Sequence, residues 1–238
     1  MIYVTDSTNN LKHKDSNASC RFVCVSDTHG KDSFSFPIPE GDVFVHAGDM
    51  TRISNPNEFI KTIAWIKSLP HKIKIVTAGN HDHILDERFG YITEKQEILA
   101  KMEHAGIIYL EHESFHLPKE LGGYKMFVSP YAPYHIGGAF MPHSLREIWE
   151  KIPNDVDILV THTPPFGYQD RIVRNKSHVG CPILRDKVDT IKPRVHLFGH
   201  IHEDHGWEWT RDGKTLMINA CICDKRYRPS QRPVVFDL

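Results

Sequence analysis

Five short motifs place aspartate, histidine and asparagine at the ends of apolar, β-branched-rich runs. They are Asp27 and His29 in VSDTHG, Asp49 in HAGDM, Asn80, His81 and Asp82 in AGNHDH, His162 in VTHTPP, and His200 and His202 in FGHIH. Carboxylate and imidazole donors mixed in this way suit divalent transition ions such as Mn, Fe, Co or Zn better than calcium or magnesium. The set holds enough donors for two ions that share one carboxylate. Two cations about 3.5–4 Å apart clamp a phosphoryl group and lower the pKa of bound water from about 16 towards 7. The chemistry in view is metal-assisted attack on a phosphate ester. Taken singly, an aspartate after an apolar run is an ordinary turn former, and a lone histidine is as easily packed as functional. The repetition at five strand ends is what favours a site.

These residues need elements to bring them together. Strand-length apolar runs occupy 21–27, 42–48, 72–79, 124–130, 157–162, 194–200, 215–221 and 233–238. Helical patterns lie at 56–68, 94–105, 144–151 and 181–191. The first is the clearest, with Asn55 as N-cap, Pro56 at the first position, Glu58 three beyond the cap, and Phe59, Ile60, Ile63, Ile66 and Lys67 spaced for an amphipathic face. Strands alternating with helices predict an α/β layered fold with parallel pairing. Short turns late in the chain, such as RDGK, suggest antiparallel additions. In open α/β sheets the loops beyond the carboxyl ends of the strands converge on one crevice, so the five motifs are expected to meet there.

The 238 residues divide into a polar N-terminal extension, 1–19, and one domain, 20–238, with no repeat or linker to split it. A hydrophobic share of 40% and a charged share of 25% are those of a globular protein. The net charge of −1, without a basic stripe, argues against a stable complex with nucleic acid. No run of apolar residues is long enough for a membrane span, and the start of the chain does not read as a signal peptide. A cytoplasmic address is expected. The five cysteines lack metal-site spacing and read as small buried hydrophobes.

The ordered set D-x-H, G-D, G-N-H-D, T-H and G-H-x-H resembles the calcineurin-like metallophosphoesterases. RFVCVSDTHG, KIVTAGNHD, VTHTPP, VGC, LFGHIHE and the PVVFDL ending are similar, more closely, to the metallophosphoesterase-domain-containing subfamily related to class III cyclic nucleotide phosphodiesterases. The resemblance implies a four-layer α-β-β-α sandwich with mixed sheets. It implies one ion on Asp27, His29, Asp49 and His202, and a second on Asp49, Asn80, His162 and His200, with Asp49 as the bridge. It also implies hydroxide attack on phosphorus, His81 as proton donor to the leaving oxygen, and Asp82 as the residue that orients His81. A small phosphodiester is the expected substrate, with cyclic nucleotides leading. A phosphomonoesterase or nucleotidase on the same metals is the alternative, as is a weakly active nucleotide-binding scaffold. The GDxVDRG stretch of protein phosphatases is absent, since Asp49 is followed by MTRI.

Among the remaining candidates, His178 precedes the last helix where a loop could reach substrate. Arg52, Tyr131, Tyr134 and Phe166 could line a substrate pocket but read first as loop packing, His46 and His196 read as strand residues, and His205 has no assigned role.

Overall fold

The structure, a computed structural model, describes residues 2–7, 11, 14 and 18–238. Part of the 1–19 extension therefore lies outside the described residues. Twelve strands among the described residues form two six-stranded sheets. The first sheet holds, in spatial order, β1 (Tyr3–Thr5), β12 (Val234–Asp237), β2 (Arg21–Val25), β3 (Val43–His46), β4 (Ile73–Val76) and β5 (Ile108–Tyr109). From β2 to β5 the pairing is parallel, while β12 and β1 are antiparallel. The second sheet holds β10 (Gly206–Trp209), β11 (Leu216–Asn219), β9 (Val195–Phe198), β8 (Ile158–Thr161), β7 (Lys125–Ser129) and β6 (Glu113–His116). Its four central strands are parallel and its two edges antiparallel. The RDGK turn joins β10 to β11, the antiparallel addition expected there.

Period-two alternation sorts the core into layers. Phe22, Cys24, Val45 and Ile75 of the first sheet share a core with Val128, Val160, Leu197 and Ile218 of the second. The intervening Val23, Phe44 and Val76 pack instead on Phe59, Ile63 and Ile66 of α1 (Pro56–Ser68) and Ile98 and Met102 of α2 (Ile92–His104). On the far side Phe127, Leu159 and Phe198 meet Trp149 of α3 (Arg146–Glu150) and Leu184 and Val188 of α4 (Pro182–Ile191). The order is helix, sheet, sheet, helix, as expected. The α1 start is the predicted capping box, with the Asn55 side chain accepting from the Asn57 N–H and Glu58 accepting from the Asn55 N–H. Ile60, assigned to the buried face by spacing, is 45% exposed, because the face that meets the sheet turns through Thr62 and Trp65.

All five cysteines are free and buried. His196 is packed within β9, its Nε2 bonded to Thr161 Oγ1 at 2.8 Å. Burial pushes its imidazole down to about 3, and that of His71 down to about 4. Both are neutral in the fold and take up a proton on unfolding below their ordinary value. Their contribution is present above about pH 6.5 and is lost as pH falls towards 4 and 3, at roughly 1 kcal/mol per pH unit for each group. Urea unfolding between pH 7 and pH 4 is expected to show this loss, and His71→Phe to remove one group's share of the slope. An unchanged slope in that variant would mean that His71 is already protonated in the fold.

Candidate metal centre

The strands end one to three residues earlier than their apolar runs, and the donors stand on the turns just beyond them. Asp27, His29, Asp49 and His200 all adopt left-handed backbone, with φ between 47° and 70°. Such conformations are uncommon for residues with a Cβ and cluster at functional sites. They turn the chain off the sheet just where a donor is presented.

Three glycines let those turns crowd together. A Cβ on Gly48 would lie 2.5 Å from His162 Nδ1, on Gly79 2.3 Å from Asp49 Oδ1, and on Gly199 2.2 Å from Asp27 Oδ2. The glycines of G-D, G-N-H-D and G-H-x-H are thus spaces occupied by the donors of neighbouring motifs.

The donors converge. Asp27 and Asp49 are 0% and 2% exposed, and no lysine or arginine pairs with either among the described residues. Asp49 lies between the two groups of imidazoles. Its Oδ1 is 3.5 Å from His162 Nε2 and its Oδ2 is 3.8 Å from His29 Nε2. Asp27 Oδ1 is 3.3 Å from His202 Nε2, and its Oδ2 accepts from the His200 N–H at 2.9 Å. Asp27, His29 and His202 form one group able to hold a cation, and Asp27, Asp49 and His162 another that overlaps it.

The tautomers are set by the carbonyls around them. His29 Nδ1 donates to the Thr51 carbonyl, His162 Nδ1 to that of Ala47, and His202 Nδ1 to that of Asp224, at 3.0–3.1 Å. Each Nε2 is left facing the carboxylates, the arrangement in which backbone partners orient metal-binding histidines. His29 Nε2 and His202 Nε2 stand 3.0 Å apart. Two lone pairs that close are stable only with a proton or a cation between them. His162 Nε2 faces Asn80 Oδ1 at 2.9 Å with the same requirement.

The charges agree with this geometry. Burial opposes protonation of His202, but Asp27 beside it outweighs this and lifts the imidazole to about 9. Burial and the neighbouring Asp27 push the Asp49 carboxyl well up. Burial pushes the His200 imidazole down to about 3, so its lone pair is free at neutral pH. His200 makes no side-chain hydrogen bond among the described residues and lines the adjoining cavity. Two buried carboxyl groups among convergent imidazoles, with protons on Asp49 and His202 that a cation would displace, fit divalent cations, and in this donor set His200 has no other partner.

The structure brings Asp27, His29, Asp49, Asn80, His81, His162, His200 and His202 to one crevice. It corrects two expected roles. Asp82 does not touch the His81 imidazole. It is buried under the loops, where it accepts from the N–H groups of Met50, Thr51 and Gly79 and from the Thr51 hydroxyl at 2.7–3.1 Å, and so ties the G-D loop to the G-N-H-D loop. His81 is oriented instead by the Arg52 carbonyl, to which its Nδ1 donates at 2.7 Å. His178 does not line the cavity. Its Nδ1 is bonded to the buried Asp170, which also accepts from the Gly167 and Gly180 N–H groups and so braces the base of the 171–179 turn.

Three contributors carry no sequence signal of their own. The Cys221 thiol donates to Asp27 Oδ2 at 3.1 Å. Tyr227, at φ 59°, packs its ring 4.7 Å from that of His29 and 5.3 Å from that of His202, with the Arg52 guanidinium 4.5 Å over it. Tyr134, which reads first as loop packing and second as pocket lining, lines the cavity. Each reaches the centre through tertiary folding of a loop that shows no motif.

The family model for calcineurin-like phosphoesterases matches residues 20–204. This chain belongs to the calcineurin-like phosphoesterases. This phosphoesterase is 38% identical to metallophosphoesterase domain-containing protein 1 of Homo sapiens over 92% of its own length and 71% of that protein's, with the same figures for the Mus musculus protein. Its fold is similar to that of the phosphopantetheinyl hydrolase PptH from Mycobacterium tuberculosis, with a TM-score of 0.57 at 13% identity, over 89% of this chain and 94% of that one. The phosphoesterase fold thus presents its donors on the loops that follow the parallel strands of both sheets. No helix among the described residues is long and apolar enough to cross a membrane.

Proposed function

We propose that the chain is a dinuclear-metal phosphodiesterase acting on small phosphodiesters, with cyclic nucleotides the leading natural candidates. The observation that carries this reading is the convergence of His29, His162 and His202, each with its Nδ1 engaged by a carbonyl, on two buried carboxyl groups without a lysine or arginine partner among the described residues. Asp27, His29, Asp49 and His202 would hold one ion, and Asp49, Asn80, His162 and His200 the other. Mixed nitrogen and oxygen donors are accepted by Mn, Fe, Zn and Co alike. When bound, such a pair supplies Lewis acidity and a nucleophilic oxygen at neutral pH.

The chain's own residues do the rest. His81 has Nδ1 committed to the Arg52 carbonyl, so Nε2 is the atom that can pass a proton to the departing oxygen. Asp49 Oδ2 lies 4.0 Å from that nitrogen. Asp82 and Thr51 keep the loop that carries His81 in register with Asp49, whose Oδ1 accepts from the His81 N–H at 2.8 Å. The free, buried cysteines support a reducing compartment, consistent with a cytoplasmic address.

The test compares bis(p-nitrophenyl) phosphate with p-nitrophenyl phosphate in Mn²⁺, followed by a panel of cyclic nucleotides. Diester turnover is expected to exceed monoester turnover, and His81→Ala to lower kcat by about 10²–10⁴ with metal content unchanged. Faster monoester turnover would make this a phosphomonoesterase. Full activity in His81→Ala would remove the proton-donor role. Less than one ion per chain, with no turnover, would leave a nucleotide-binding scaffold.

A further inference from the structure

Beside the donors opens a cavity of about 830 Å³. Its floor is Asp49, Asn80, His81, His200 and His202, and its walls are mainly apolar, with Phe89, Pro133, Tyr134, Ile136, Ile172 and Val179 beside the imidazoles of His83 and His135. Lys225 is the one lysine or arginine in the lining among the described residues, and Glu203 lies in the same lining. A nucleic-acid strand or a polyphosphate calls for a row of cations. This cavity offers one reaction centre and a mainly apolar wall.

The walls are two braced loops. Residues 132–140 close on themselves through the Ala132 N–H to Phe140 carbonyl bond, and are pinned where Ala139 N–H donates to the Asn80 carbonyl and Phe140 N–H to Asp86. Opposite, the 171–179 turn closes through the Ile172 N–H to Ser177 carbonyl bond, and is held by Asp170 and by the Arg171 N–H to Asp204 bond. One loop is therefore fixed to the backbone of Asn80, and the other to the segment that follows His202.

Ile136 stands out between them. It is 87% exposed and has φ 53°, a β-branched residue in the left-handed region with almost none of its side chain buried. Neither the strain nor the exposure contributes to the fold. Val179 and Tyr134 are also exposed, at 39% and 56%. Backbone strain of this kind is retained where a site uses it, and exposed apolar groups gathered at a cleft mark what the cleft binds.

We infer that this cavity is a subsite for an apolar ester arm, so that the preferred substrate is a singly charged phosphodiester carrying an alkyl or aryl group. The inference rests on the phosphodiesterase reading and narrows its substrate class. The phosphoryl group sits at the donors, and the arm lies between Tyr134 and Ile136 on one side and Ile172 and Val179 on the other. The amphiphile is taken from solution as a monomer.

The experiment is a series of methyl, butyl and hexyl p-nitrophenyl phosphates, all monoanions with one leaving group, assayed in Mn²⁺ below any micelle concentration. Full burial of a methylene is worth up to about fourfold. From methyl to hexyl, kcat/KM is expected to rise by about 30-fold or more, and Ile136→Asp and Val179→Asp to collapse that ratio. A ratio near one in the wild type overturns the proposal, as does a ratio unaltered in both variants. Calorimetric binding of hexylphosphonate against methylphosphonate gives a readout independent of turnover, with Kd expected to differ by a similar factor. If no diester is hydrolysed but the Kd values differ and the variants abolish the difference, the subsite stands and the phosphodiesterase reading fails. Equal Kd values, with Ile136-dependent sedimentation on phosphatidylcholine vesicles, would assign the patch to a lipid surface and overturn the proposal.

Discussion

In Asp49→Asn, diester turnover in Mn²⁺ is expected to fall by about 10³-fold or more, while the metal-free protein unfolds no more easily than the wild type. Asparagine keeps the Oδ1 acceptor that holds the His81 N–H at 2.8 Å. It replaces a carboxyl that is 2% exposed, has no lysine or arginine partner among the described residues, and is pushed well up by burial and by Asp27. A buried carboxylate without compensation is costly to the fold, so a neutral isostere is tolerated. The loss falls on the loaded enzyme. Asp49 faces His162 with one oxygen and His29 with the other, and several kcal/mol of metal-dependent stabilisation corresponds to about 10³ at 1.36 kcal/mol per decade. Thermal melts with and without Mn²⁺, alongside turnover and metal analysis, check both halves. Undiminished turnover, or a metal-free variant markedly less stable than the wild type, would show that Asp49 is a structural residue.

A second large effect is expected where no donor changes. In Gly79→Ala the new Cβ would meet Asp49 Oδ1 at 2.3 Å, the Asp49 N at 2.5 Å and His162 Cε1 at 2.6 Å. Backbone and a packed ring cannot yield as a flexible side chain does. Destabilisation of about 1–3 kcal/mol is expected, together with a loss of metal affinity of about 10–100-fold, the size seen when groups supporting metal ligands are disturbed. Gly213→Ala in the RDGK turn is the control: nothing lies within 4 Å of its Cβ position, although φ is 67°. It is expected to cost some stability and leave metal binding alone. Equal metal affinity in Gly79→Ala and the wild type would mean that the G-N-H-D loop can relax away from Asp49.

Local patterns made the scaffold legible. The 56–68 helix begins and ends where its cap, proline and apolar spacing put it, and the 181–191 helix follows Cys181 as its N-cap. The eight apolar runs all contain strands. The runs outlast the strands for a physical reason: residues 26–27, 47–49, 77–80 and 199–200 are nearly as buried as the strands before them but leave the sheet through turns that composition does not reveal. The strands β1, β5, β6 and β10 leave no clear pattern because they are short edge or near-edge segments with little buried alternation, as in the largely exposed Glu113–His116. Donor identities were legible because chemistry restricts them to a few residue types. Their supports were not. That Arg52 orients His81 through a carbonyl, that Asp82 binds four donors beneath the loops, and that Cys221 and Tyr227 close in from residues 221–227 are facts of tertiary contact, which spacing along the chain cannot encode.

The donors are drawn from both sides of the sandwich. Asp27, Asp49 and Asn80 follow strands of the first sheet, and His162, His200 and His202 follow strands of the second. A cation held by members of both sets would be a rivet through the seam between two sheets whose shared core is apolar. Any ligand of the native state that ignores the unfolded chain stabilises the fold by mass action, about 1.4 kcal/mol for each tenfold excess of free ion over its Kd. Resistance to unfolding would then track the supply of metal in the surroundings, and a starved protein would loosen along that seam first.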